Sequence, residues 1–394
     1  MSSYKTFVSF EEAVEMFIET WPGQSSVEMV ATADALHRVT ARDYVSTVNV
    51  PVVRASMMDG VAFSFDRFQT KDMSDWRLGE DFVRADTGDD FPDQYDTVLP
   101  IEAVRIGPSG RGLSLIDDMQ IVRGMNIRPC GSLVAEGAPI VPAGRRLTAT
   151  DLAALAMGNV GTVAVRKRPV VAFIPTGSEL VSVGTALQRG QNVDANSILA
   201  EHLLRSFGAE PVMYPVVRDE PEAIMAAVRT ARASADIVIV NGGSSKGEED
   251  FGVRLQAEYG RLLFHWSEAG PGRPVALASV DDAPVIVVPG PVYGCFNVLH
   301  WFLYPIIRYR LQEHGEPYHR IRAVLTNAPD APADFRFLCG VRLEKGETGY
   351  QATLLSFKQD GTIPCLTADG FVHTIPGVRW HVGDEIEVNL LRRI

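Results

Sequence analysis

No CxxC pair and no Cys/His set at metal-ligand spacing occurs anywhere in the chain. The four cysteines, Cys130, Cys295, Cys339 and Cys365, stand far apart. That usage excludes a zinc ribbon or finger and suits free thiols in a reducing compartment, so a cytoplasmic protein is expected. Basic residues are also scarce. Lys and Arg number 37 against 49 Asp and Glu, a net charge of −12, with no basic stripe along any segment. A nucleic-acid partner is excluded on that ground, but an anionic small ligand is not, because a few local cations override the global field. Uninterrupted apolar runs are missing too. The most apolar stretch, 284–307, is broken by Pro289, Gly290, Pro291, Gly294, Asn297 and His300. It is expected to be a strand, a glycine turn and a buried helix rather than a membrane span. The first residues lack the apolar core of a secretory signal, so none is expected.

What is present is ordinary globular composition, 46% hydrophobic and 22% charged, over 394 residues, enough for two to four domains. Ser9 and Glu12 have capping-box spacing ahead of a short amphipathic helix. A second helix is expected over 31–37, and a third over 150–157. From Trp76 to Val141 short alternating segments broken by Gly, Pro and Asp read as a small β-domain. After Arg166-Lys167-Arg168-Pro169 the pattern turns to strands alternating with helices, including strand 170–174, helix 196–207, strand 211–217 and helix 220–233. Such alternation predicts a mostly parallel sheet covered on both faces. Beyond Arg320 the chain returns to short strands and turns, as in a β-domain or small barrel.

Within the alternating part, Ala235 to Val240 reads as a buried strand that runs into Asn241-Gly242-Gly243-Ser244-Ser245-Lys246-Gly247. Glycines let backbone N–H groups approach an anion, serine caps a following helix, and lysine adds a point charge. The spacing is neither GxxxxGK[ST] nor GxGxxG. Glu248, Glu249 and Asp250 follow at once, and carboxylates beside an anion cradle call for a bridging divalent cation such as Mg2+. A polar turn after a core strand is the alternative for the same residues. Ligands of such sheets sit at the carboxyl ends of the strands. Two more loops leave strands there, Pro175-Thr176-Gly177-Ser178-Glu179 and Pro289-Gly290-Pro291-Val292-Tyr293-Gly294.

Several separated stretches resemble one family. Ser56-Met57-Met58-Asp59-Gly60-Val61-Ala62 resembles Ser-Ala-Met-Asp-Gly-Tyr-Ala of the molybdopterin molybdenumtransferases, the MoeA family, whose animal relative is the gephyrin E domain. Thr87-Gly88 with Asp96-Thr97-Val98 and Glu102 resembles its Thr-Gly…Asp-Ala-Val…Glu. Thr176-Gly177-Ser178-Glu179-Leu180 resembles Thr-Gly-Asp-Glu-Leu, and Asp194-Ala195-Asn196 resembles Asp-Ser-Asn. The 241–250 loop is similar to Thr-Gly-Gly-Val-Ser-Val-Gly-Asp-Tyr-Asp, and Pro271-Gly272-Arg273-Pro274 to Pro-Gly-Lys-Pro. The likeness runs from about residue 9 to about residue 310 and is weak beyond.

The resemblance implies four parts: a discontinuous helical and β linker domain (1–75 and 142–168), a small β-domain (76–141), a molybdopterin-binding α/β domain (169–315) and a C-terminal β-barrel (316–394). It implies a homodimer whose cleft lies between the α/β domain of one subunit and the N-terminal region of the other. The reaction implied is insertion of molybdate into adenylylated molybdopterin with Mg2+, releasing AMP and molybdenum cofactor. A client molybdo- or tungstoenzyme is the onward partner. Asp59, Glu179, Asp219 and Asp250 match the catalytic carboxylates, with Glu179 and Asp250 as metal ligands; a turn-forming Asp59 and a helix-capping Asp219 are the structural alternatives. Ligand-binding positions are Thr87, Thr176, Gly177, Ser178, Asn241, Gly242, Gly243, Ser245, Lys246, Gly247, Arg273, Pro289 and Gly290. The chain departs from the pattern at Asn126 and Ser178, where the family carries acids. Gly270 replaces a lysine, and Pro291 interrupts Pro-Gly-Asn-Pro-Val. Those departures leave a second function class beside the enzyme: a carrier of molybdopterin or finished cofactor, or a gephyrin-like scaffold.

Overall fold

The computed structural model describes residues 5–242, 260–328, 336–347 and 349–393. The chain forms two compact units, one of residues 28–165 and a larger one of 1–27 with 166–394.

The larger unit is built on a seven-stranded sheet among the described residues, in the order Lys5–Val8, Arg261–Ser267, Ala276–Val280, Ala283–Val288, Ile237–Asn241, Val170–Pro175, Glu210–Met213. Ile237–Asn241 lies between Val170–Pro175 and Ala283–Val288, parallel to both. All five of its residues are buried. Successive side chains alternate in direction. Val238 and Val240 enter a core with Ala172, Ile174, Val285 and Val287, covered by Ile224, Met225, Val228 and Ala231 of helix Pro221–Arg232. Each such aliphatic side chain contributes on the order of 1.5–3 kcal/mol when removed from water. Helix Asn196–Phe207 packs on strand Val170–Pro175 and against helix Val292–Val298.

The sheet is mixed as well as parallel, because Ala276–Val280 runs antiparallel to both of its neighbours. Neither that strand nor Lys5–Val8, which pairs parallel with Arg261–Ser267, was expected. Residues 5–27 thus belong to the larger unit. Ser9 does cap helix Phe10–Thr20, accepting from Glu12 N at 3.1 Å, but the Glu12 carboxylate turns to Lys5 Nζ at 2.5 Å instead of closing the box. The apolar stretch resolves into strand Ala283–Val288, a turn, and one helical rod from Val292 to Leu311. A π turn, Leu299–Leu303, interrupts the rod just before Pro305, whose ring removes the N–H that an α-helix would need there. No described helix is long and apolar enough to cross a membrane. The C-terminal strands Arg320–Leu325, Tyr350–Leu355, Leu338–Lys345, Gly370–His373 and Glu385–Leu390 close a barrel in that order, as expected.

The other unit has three buried apolar clusters among the described residues, the smallest formed by Ala62, Ala85, Phe91, Tyr95 and Val98. Another gathers Tyr44, Val141, Leu147, Leu155, Val163 and Val165, with helix Ala149–Met157 capped by a Thr148/Asp151 box. The third packs Val61, Phe63, Trp76, Phe82 and Leu99 over an antiparallel sheet, Phe82–Ala85, Gly60–Phe63, Thr97–Pro100. The helix expected over 31–37 is instead the end of strand Val27–Ala31 and a 3-10 turn, Thr32–Asp34. Buried Thr32 gives its hydroxyl hydrogen to Val160 O at 2.5 Å, which favours the turn over a longer helix.

Candidate functional site

Three strand ends converge in the larger unit. The Val170–Pro175 strand ends at Thr176, whose N–H donates to Asn241 O at 2.9 Å and whose hydroxyl reaches the same oxygen at 3.1 Å. Gly177 N donates to Val217 O, and Gly242 N to Val288 O. Gly242 sits at φ +111°, where a Cβ would fall 2.6 Å from Thr176 Oγ1. Gly290 comes within 3.9 Å of Gly242 Cα when given a Cβ. Only glycine fits at 242, and the backbones therefore close into one cradle. The cradle opens on a cavity of about 540 Å3 lined in part by Thr176, Glu179, Asn196, Asn241, Gly290 and Thr362.

The floor of that cavity is a pair of amides. Asn241, 2% exposed, donates from Nδ2 to Pro289 O at 2.7 Å and accepts on Oδ1 from Asn196 Nδ2 at 2.9 Å. Asn196 Nδ2 also reaches Gly290 O at 2.7 Å. Asn196 Oδ1 is buried with no hydrogen-bond partner among the described residues, an open acceptor at the cavity wall. Either Asp194 or Asn196 was expected to cap helix Asn196–Phe207, and Asp194 does so, accepting from Ser197 N at 3.0 Å and Ser197 Oγ at 2.5 Å, which leaves Asn196 for the cavity. The Asp194-Ala195-Asn196 motif was the available signal for it.

The rim is acidic. Glu179 is exposed, and its carboxylate folds back over Gly177, 2.9 Å from where a Cβ would stand at φ +150°. Asp219 has its pKa raised, first by partial burial and then by the negative charge of Glu179. The Ser178 N–H and the Thr176 hydroxyl oppose the rise. Asp219 does not cap the following helix, whose N-cap is Glu220 without a side-chain bond. Two carboxylates held in mutual repulsion are what a divalent cation relieves. No group of three or more His, Cys, Asp or Glu that could hold a metal occurs among the described residues.

A second, apolar cavity of about 680 Å3 adjoins the first through Pro291, Val292 and Thr362. Pro271, Gly272, Arg273 and Pro289 line it beside Trp266 and Phe357. Arg273 stacks over Phe7, its guanidinium carbon 5.3 Å from the ring centroid.

In the other unit, Asp59 Oδ1 accepts from Thr87 N at 2.7 Å and Thr87 Oγ1 at 2.8 Å, and these two bonds lower its pKa. The adjoining Gly60 begins a strand whose partner Leu99 O would lie 2.1 Å from a Cβ. Asn126 donates from Nδ2 to Val98 O at 3.0 Å, a contact that the family's carboxylate could not make when ionised. The neighbouring Arg123 is paired with Asp66 and Asp96. Thr176, Gly177, Asn241, Gly242, Pro289, Gly290, Glu179 and Asp219 are thus brought together, with Ser178 beside them and Arg273 on the adjoining cavity. Asp59 and Thr87 belong to the other unit. Gly243, Ser245, Lys246, Gly247 and Asp250 lie outside the described residues.

The class defined by these parts is a multidomain α/β protein with a ligand cavity at its parallel strand ends and a C-terminal barrel. Two family profiles match it, the MoeA N-terminal region (domain I and II) over residues 8–158 and a probable molybdopterin binding domain over residues 172–309. The chain belongs to the MoeA family. It is 28% identical to the molybdopterin molybdenumtransferase of Bacillus subtilis over 100% of this chain and 96% of that one. It is 27% identical to that of Haemophilus influenzae over 76% and 77%. A solved molybdopterin biosynthesis MoeA protein from Pyrococcus horikosii shares the fold, with a TM-score of 0.79 at 24% identity over 98% of this chain and 100% of that one.

Proposed function

We propose that this chain is a molybdopterin molybdenumtransferase of the cytoplasm. It takes adenylylated molybdopterin and molybdate, inserts the metal, and hydrolyses the pyrophosphate link to release AMP. The observation that carries this reading is the strand-end cavity, with an unmatched acceptor on Asn196, the Glu179 carboxylate in its lining and Asp219 interacting with Glu179 and Thr176. A pterin ring brings the N–H donors that Asn196 Oδ1 lacks, and phosphate oxygens suit glycine-turn N–H groups. Thr176 and Ser178 hydroxyls stand beside those turns, and Lys246 and Arg273 supply positive charge.

Hard oxygen donors on the rim fit Mg2+. Glu179 and Asp219 would hold it directly or through water, joined by Asp250. When bound, the ion neutralises phosphate charge as the link is cleaved. Asp59, kept ionised by Thr87, acts in our reading from the second subunit of a homodimer, facing the cavity of the first. The finished cofactor then passes to a molybdo- or tungstoenzyme.

The carrier or scaffold reading is favoured by two neutral side chains at acidic family positions. Ser178 adds no charge to the rim, and Asn126 is committed to Val98 O. Release of AMP from adenylylated molybdopterin, measured with molybdate and Mg2+ present, tests the proposal. Binding of molybdopterin without AMP release selects the carrier.

A further inference from the structure

We infer that the C-terminal barrel positions the 270–274 loop for its ligand, through His373 and Asn297. This rests on the reading above, in which Arg273 of that loop meets the bound molecule.

Little inside Pro271-Gly272-Arg273-Pro274 fixes its own shape. Two prolines remove donors, and Gly272 lies at φ +95°. The restraints come from outside. Gly270 N donates to Arg336 O at 2.8 Å, and Leu338 N donates to Gly270 O at 2.8 Å, so the loop is laced to the chain entering barrel strand Leu338–Lys345. Gly272 abuts Gly294 of the helical rod so closely that a Cβ on it would lie 2.8 Å from Gly294 O. One turn along the rod, fully buried Asn297 donates from Nδ2 to Pro271 O at 2.8 Å.

That bond sets the rest of the chain of contacts. A carbonyl oxygen only accepts, so the amide nitrogen of Asn297 must face Pro271 and its Oδ1 must face the other way. There Oδ1 meets His373 Nε2 at 3.1 Å. An amide oxygen also only accepts, so His373 carries its proton on Nε2. Enclosure, and then the nearby Arg336 charge, lower the His373 pKa and keep the ring neutral, which leaves one donor and one tautomer. His373 ends barrel strand Gly370–His373, and Phe10 stands edge-on to its ring at 5.0 Å. A rotation of that imidazole frees Asn297 to rotate, and Pro271 loses its donor. A ligand loop held by another domain's side chains is a preorganised one, and loosening it weakens binding before it unfolds anything.

The test uses the full chain with His373→Leu and His373→Gln, the second keeping an N–H donor, and Asn297→Asp as a route from the rod. In His373→Leu, hydrogen exchange should accelerate at Gly270 and Val275, whose N–H groups bond to Arg336 O and Arg273 O, while barrel amides 341–345 keep the parent's protection. Titrated molybdopterin should bind roughly tenfold more weakly, as for one lost hydrogen bond, and His373→Gln should recover most of that. Asn297→Asp should match His373→Leu in both readouts above the raised folded-state pKa of the new acid, where the ionised carboxylate cannot donate to Pro271 O. Unchanged exchange at Gly270 and Val275, or equal acceleration throughout 341–345, overturns the positioning role. A parent that binds no molybdopterin overturns the functional reading on which it rests, and the exchange comparison still decides whether the barrel holds the loop.

Discussion

Asn241→Asp replaces a single side-chain nitrogen by oxygen, and the structure gives its consequence. Asn241 is 2% exposed, with Nδ2 donating to Pro289 O at 2.7 Å and Oδ1 accepting from Asn196 Nδ2 at 2.9 Å. An ionised aspartate keeps the second bond and turns the first into two acceptors face to face. A buried charge without its compensating partner costs about 3–5 kcal/mol. The folded protein escapes part of that by holding the proton, because the protonated acid donates to Pro289 O as the amide did. The folded-state pKa of Asp at 241 is therefore raised above the unfolded value of about 3.9. For a raised acid, stability is intact below the unfolded pKa and is lost as pH rises through the folded one. The variant's deficit should be small near pH 5 and largest near pH 8, where at roughly 2–4 °C per kcal/mol it reaches on the order of 10 °C in Tm. Scanning calorimetry of parent and variant at pH 5, 6.5 and 8 reads it. A Tm difference that is the same at all three values refutes the amide-pair geometry.

Gly242→Ala should lower the urea midpoint and abolish ligand binding, since a Cβ would lie 2.6 Å from Thr176 Oγ1 at φ +111° and the backbone strain alone is worth about 1–3 kcal/mol. Asp219→Asn should flatten the dependence of Tm on pH just above the ordinary carboxylate range, because the raised pKa of Asp219 makes the parent lose stability as pH rises there. Glu179→Gln should bring the Asp219 pKa part of the way down in an NMR titration, burial being the larger cause; no movement means the two carboxylates do not interact. Light scattering should give about twice the 43.0 kDa chain mass, and a monomer at micromolar concentration contradicts the two-chain cleft.

The part of the fold that carries the site was legible because its signals are local. A run of Ala, Ile and Val ending in Asn-Gly marks a buried strand and its turn, and Ile237–Asn241 ends where expected. Helix Asn196–Phe207 and the barrel followed from periodicity and turn residues in the same way. Lys5–Val8 and Ala276–Val280 were not legible, because membership of a sheet depends on pairing with distant strands rather than on four or five residues of pattern. Thr32 shows the same limit: its hydroxyl answers to Val160, 128 positions away. At the site, the Gly242 turn and the loop ending in Glu179 were legible from residue type, whereas Asp219 came only from the resemblance; the structure sets Asp219 against Glu179, Ser178 and Thr176. Asp194 and Asn196 were both readable as the cap of helix Asn196–Phe207, and the geometry chooses Asp194, which leaves Asn196 to the cavity. The substitution at Asn126 looked like a lost acid and is also a gained hydrogen bond to Val98 O.

The central claim is tested most directly by mixing the purified chain with adenylylated molybdopterin, molybdate and Mg2+ and following AMP by chromatography. The account predicts AMP release and molybdenum cofactor formation that need molybdate and Mg2+, and that fall to the protein-free rate in Glu179→Gln. Tight binding of molybdopterin by the parent, with AMP release no faster than in the protein-free control, contradicts it.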